Sequence, residues 1–139
     1  MSPLSRKILY AVSFELCGIL VAGMALLVMS SADAAHTFSL SALAATIAML
    51  WSYAFNSSFE AWEARQPQRG RSTTRRALHA VLFEGGLMAV LLPVTAWWLS
   101  VGLWQALLLE GALVAVFIAY TYAFTWAFDR IFGLPASAR

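Results

Sequence analysis

Two carboxylates stand where a chain has least use for charge. Glu15 lies in the apolar run YAVSFELCG (10–18) and Glu84 in HAVLFEGGL (79–87), each directly after a phenylalanine. A charged side chain at the centre of a membrane helix costs about 2.5–3.5 kcal/mol. On a helix the i±3 and i±4 neighbours of Glu15 are Ala11, Val12, Gly18 and Ile19, so nothing basic in its own run reaches it. Such an acid can hold a proton and release it to an arriving cation, the chemistry of proton–cation exchange. The bland reading is a protonated acid that only hydrogen-bonds across helices. The small residues Ala11, Gly18 and Ala22 on the same face permit the close packing that either reading needs.

Other polar groups recur in a pattern. Tyr53, Asn56 and Glu60 fall at i, i+3 and i+7, one helix face, and Tyr122, Thr125 and Asp129 repeat it. Trp51, Phe55, Tyr120 and Phe124 supply rings beside them that could hold a cation by cation–π attraction. Together these residues make a candidate cation-binding face. Glu60 and Asp129 have a plainer use as partners of Arg6, Lys7, Arg75 or Arg76. Glu110 is either a proton port on the other side or an acid reaching the interface. His79 is expected to make an interfacial hydrogen bond, His36 to lie in a loop, and Cys17 to serve as a small packing residue. No His, Cys, Asp or Glu set has metal-ligand spacing, and no nucleophile–base pair or phosphate-binding glycine loop is present, which argues against an enzyme.

The elements that carry these groups follow from hydropathy. The chain has 139 residues, 61% hydrophobic and 12% charged, with a mean hydropathy of +0.73; soluble domains carry about 25% charged residues. Four runs, near 8–30, 38–59, 77–99 and 103–128, approach or exceed the roughly 20 residues that cross a bilayer as a helix. The expected fold is all-α, an integral membrane four-helix bundle. Its parts are a first transmembrane pair in 1–62, a basic loop in 63–76, a second pair in 77–130 and a tail in 131–139. Ala32 and Ala34 imitate a signal-peptidase site, but the first run exceeds the roughly 7–15 residue core of a signal peptide and contains an acid.

Charge sets the orientation. The nine Lys and Arg residues sit in the N-terminus, the central loop and the end of the chain from Arg130. The connections SSADAAHT (30–37) and LSVGLW (99–104) have none, so the basic side is expected to be cytoplasmic. Trp97, Trp98 and Trp104 flank the second of these connections as an interfacial belt would. The basic loop reads as a topology determinant touching anionic lipid, and a nucleic-acid partner is not expected.

The chain is also written twice. At an offset of 69, RKILYAVSFE (6–15) lies over RRALHAVLFE (75–84) with six identities in ten. The same offset lays WSYAFNSSFE (51–60) over YTYAFTWAFD (120–129), matching Tyr53/Tyr122, Ala54/Ala123, Phe55/Phe124 and Phe59/Phe128. Two helical hairpins that both leave and return to one side are parallel repeats about an axis along the membrane normal. Repeat-built membrane proteins often place substrate at the repeat interface.

At these residues the chain resembles the proteobacterial antimicrobial compound efflux family, built from two tandem bacterial transmembrane pair units. The resemblance covers essentially the whole chain and is closest at Arg76-x-x-His79-Ala80-x-x-Phe83-Glu84-Gly85-Gly86. Blocks 51–60 and 120–129 look like the family's second and fourth blocks, each ending in an acid. Lys7, Tyr10, Ser52, Glu60 and Thr125 depart from the family's usual Arg, His, Asn, Asp and Asn. The resemblance implies Glu15 as the proton-coupling acid. It implies export of cationic biocides such as chlorhexidine or acriflavine-like dyes, or of short diamines, in exchange for protons across a bacterial inner membrane. No cofactor beyond the proton gradient is expected, and a homodimer or small homo-oligomer is. The competing classes are a non-transporting membrane subunit with structural acids, and a cation channel.

Overall fold

The computed structural model describes residues 1–68, 70 and 72–133. Arg69, Arg71 and the tail from residue 134, Arg139 included, lie outside the described residues. The chain forms α1 (Pro3–Met29), α2 (Ala34–Ala64), α3 (Thr73–Leu99) and α4 (Leu103–Phe132), with no strand among the described residues. All four are long and apolar enough to cross a membrane. In hydrocarbon only a helix satisfies its own backbone, which is why sustained apolar runs take this form.

The helices outrun the apolar stretches, because capping and not hydropathy ends a backbone ladder. The hydroxyl of Ser2 accepts the Ser5 N–H and starts α1, and that of Ser72 accepts the Arg75 N–H and starts α3. The Asp33 carboxylate accepts the His36 N–H at 2.9 Å and starts α2. That amide, with the His36 ring, holds the Asp33 carboxyl below its ordinary range. His36 is therefore in the first turn of α2 and not in a loop. Between α3 and α4, Ser100 takes a left-handed conformation (φ 53°). This lets the Val101 N–H reach back to the Ala96 carbonyl.

Packing closes the four helices into a ring. Each helix packs on its chain neighbour, and α1 packs on α4. The two seams between the hairpins are copies of each other at the 69-residue offset. In the α1–α4 seam the Tyr120 hydroxyl donates to the Phe14 carbonyl at 2.7 Å, and Tyr10 bonds Thr125 at 3.0 Å. In the α2–α3 seam the Trp51 indole N–H donates to the Phe83 carbonyl at 3.1 Å, and His79 bonds Asn56 at 2.8 Å. Asn56 Nδ2 donates to the Ser52 carbonyl, so its Oδ1 is the acceptor and His79 Nε2 carries the proton. Tyr10 stacks on Phe14 and meets Phe124 and Phe128 edge-on. His79 stacks on Phe83 and meets Phe55 and Phe59 edge-on.

The buried core lies at the end with the two short connections. Leu26, Leu40 and Leu109 form it, with Met29, Val94, Trp98, Leu99 and Leu113 packed around. There the Trp98 indole donates to the His36 carbonyl, while Trp97 and Trp104 stay exposed. On the outside of α1, Leu4, Ile8, Val12, Leu16, Leu20, Met24 and Val28 are exposed at every fourth residue, a stripe suited to lipid.

Glycine makes room for the second seam. A Cβ on Gly86 would run into the Trp51 ring, whereas one on Gly18 would meet Phe117 and Tyr120 at ordinary distances of 3.5–3.7 Å. Gly86→Ala is therefore expected to destabilise the protein by about 1–3 kcal/mol through overpacking, and Gly18→Ala by much less. Unfolding of both variants by SDS titration in mixed micelles checks this; equal stabilities would refute the seam geometry.

Candidate functional site

Inside the ring is a cavity of about 1250 Å³. All four helices wall it, and each does so with one face. From α1 come Glu15, Gly18 and Ala22; from α3, Glu84, Leu87, Leu91 and Thr95. Helix α2 lines it from Leu40 to Glu60, a distance of about 30 Å at 1.5 Å per residue, the hydrocarbon thickness of a bilayer. Four carboxylates face this space, those of Glu15, Glu60, Glu84 and Glu110, and among the described residues no Lys, Arg or His lines it. An apolar-walled space with only negative charge attracts cations and repels anions.

The acids differ in setting. Glu15 and Glu84 are repeat counterparts on α1 and α3, which do not adjoin in the ring. Both are exposed to the cavity, and neither has a hydrogen-bond or ion-pair partner among the described residues. Their placement follows from the seams. The carbonyl just before each acid, of Phe14 and of Phe83, is gripped by an aromatic donor of the other hairpin, which fixes the rotation of α1 and α3. Glu110 is the buried acid, 8% exposed. It accepts a 2.6 Å hydrogen bond from the Thr95 hydroxyl, itself 1% exposed.

Of the other residues singled out in the sequence, Tyr53, Asn56 and Tyr122 line the cavity. Trp51, Phe55, Tyr120 and Phe124 lie in the seams as hydrogen-bond donors and ring partners. The two terminal acids part company. Asp129 pairs with Arg6 at 2.5 Å, and the same guanidinium bonds the Gly133 carbonyl and lies over the Phe128 ring. Arg75, the counterpart of Arg6, is turned instead to the carbonyls of Gln68 and Gly70 and to the Trp62 ring. Glu60 is left at the cavity mouth without an ion pair among the described residues. Arg76 is exposed on the first turn of α3. Sequence reasoning missed Thr95, whose partner is 15 residues away across a turn; its only signal was a lone hydroxyl in an apolar run. Among the described residues no group of three His, Cys, Asp or Glu could hold a metal ion.

A family model described as "Chlorhexidine efflux transporter" matches the chain twice, over residues 2–65 and 71–134. The chain belongs to that family. The transporter is also 34% identical to a short-chain diamines transporter of Acinetobacter baylyi, over 91% of this chain and 89% of the relative. Proteins with the same description from Vibrio parahaemolyticus and Acinetobacter baumannii are 28% and 29% identical, over 91% of this chain and 90% and 87% of theirs. No solved structure matches. The two family matches are the two hairpins, so the repeat read at offset 69 is the family's own unit. The chain is a membrane transporter and not an enzyme.

The transporter's buried acid should be the costliest polar group to disturb. Thr95→Val leaves Glu110 without its donor and is expected to cost about 1–2 kcal/mol, while Thr95→Ser keeps most of the bond. The comparison is again SDS-titration unfolding, and equal losses for the two variants would mean that the hydroxyl contributes nothing.

Proposed function

We propose that the protein is a proton-coupled antiporter that exports organic cations across a bacterial inner membrane, with both termini cytoplasmic. The observation that carries this reading is the cavity lined by four carboxylates and, among the described residues, no basic side chain. Its substrates are cationic biocides such as chlorhexidine and short-chain diamines, as the descriptions of the family and of the relatives suggest, together with acriflavine-like dyes, as the resemblance implies. A dication needs two negative charges, and Glu15 with its counterpart Glu84 can supply them from opposite walls. Tyr53, Asn56 and Tyr122 offer the polar and aromatic remainder of the wall.

In the proposed cycle the cavity receives a cation from the basic end, past Glu60. The cation displaces a proton from Glu15, the Leu26–Leu40–Leu109 cluster parts, and a proton from outside releases the cargo. Each pH unit across the membrane supplies about 1.4 kcal/mol per proton. One chain walls the cavity by itself, so association as a homodimer or small homo-oligomer would act through the outer faces.

The test is proton movement in proteoliposomes with an imposed pH gradient, on adding diaminobutane and, separately, chlorhexidine. Wild type is expected to exchange protons for either cation. Glu15→Gln is expected to lose that exchange while keeping its unfolding midpoint. Cation flux without any proton movement would favour a channel instead.

A further inference from the structure

Resting on this reading of the cavity, we infer that Glu110 is a second cation-binding carboxylate, one that receives the far charged group of long dications. Beyond Glu60 at the mouth, the acids of the cavity stand at two depths. Glu84 and Thr95 are both on α3, 11 residues apart, which is about 17 Å along the helix. Glu110 is hydrogen-bonded to Thr95, so its carboxylate lies at that second depth, at the closed end beside Leu26, Leu40 and Leu113.

The carboxylate is also presented to the cavity. Thr95 occupies Oε1. No buried side-chain oxygen among the described residues lacks a partner, so Oε2, with none, is open to the space that Glu110 lines. A residue more than nine-tenths buried thus aims one unpartnered oxygen inward, and among the described residues no basic side chain lines the cavity to neutralise it. The first hairpin has no equivalent, since its counterparts of Glu110 and Thr95 are Ser41 and Leu26. The deeper level is therefore a single acid, unlike the Glu15–Glu84 level.

This geometry sorts cations by length. The ammonium groups of diaminobutane are a few bonds apart and reach one level only. Bonds of about 1.5 Å in a zigzag chain put the ends of extended diaminododecane roughly 16 Å apart, enough to engage both levels. A bis-cation such as chlorhexidine, with its two charged groups on a methylene spacer, belongs to the same long class.

The experiment is calorimetric titration of the full-length protein in detergent with diaminobutane, diaminododecane and dodecylamine, which has one charge. In wild type, diaminododecane is expected to bind about tenfold or more tighter than dodecylamine. In Glu110→Gln, the ratio of the Kd for diaminododecane to that for diaminobutane is expected to rise by about tenfold or more. Equal binding of diaminododecane and dodecylamine to wild type would overturn the inference even if the variant failed to fold. Binding of both diamines with an unmoved ratio in Glu110→Gln would overturn it alone. If neither diamine bound wild type, the transport reading would fall with it.

Discussion

The structure depends on two aromatic donors that each reach across to a helix carbonyl of the other hairpin. Tyr120 holds Phe14 and Trp51 holds Phe83, and the residue after each held carbonyl is an acid. Transmembrane helices gain little from hydrophobic association, because lipid is as apolar as a neighbouring side chain. Hydrogen bonds and close ring packing must set their rotation instead. Fixing the rotation at Phe14 and Phe83 turns Glu15 and Glu84 into the ring and not toward lipid, where an ionised group would be costly.

Repetition gives the two seams one design, executed in different side chains. A phenol on α4 matches an indole on α2, and Tyr10–Thr125 matches His79–Asn56. Tyr10, the counterpart of His79, stacks and bonds as that histidine does. The bulkier indole needs Gly86 beside it, while the phenol tolerates ordinary contact at Gly18. The pairings survive substitution because each needs only a donor or acceptor on a ring of suitable reach.

Where the units differ, the cavity gains polarity along its length. Arg6 neutralises Asp129, but Arg75 turns to its own loop and leaves Glu60 at the mouth. At the closed end the second unit carries Thr95 and Glu110 where the first has Leu26 and Ser41. Two nearly equal hairpins thus enclose a space whose acids change in number and setting from one end to the other, with the leucine cluster sealing the deep end.

The sequence by itself determined the four helices, their membrane character, the repeat and the two hairpins. Each depends on properties local to the chain: hydrophobic run length, and identity at a constant offset. It also singled out Glu15 and Glu84, because an acid in an apolar run is conspicuous wherever the helix points. Helix ends were less legible, since the caps at Ser2, Asp33 and Ser72 lie outside the apolar runs. Only the tertiary structure decided which groups share the cavity. The rings of Trp51, Phe55, Tyr120 and Phe124 sit on the same helices as Tyr53 and Tyr122, yet rotation by a residue or two sends them into the seams. The Thr95–Glu110 bond and the Arg6–Asp129 pair depend on which helix lies beside which, and on its height. Hydropathy carries no record of either.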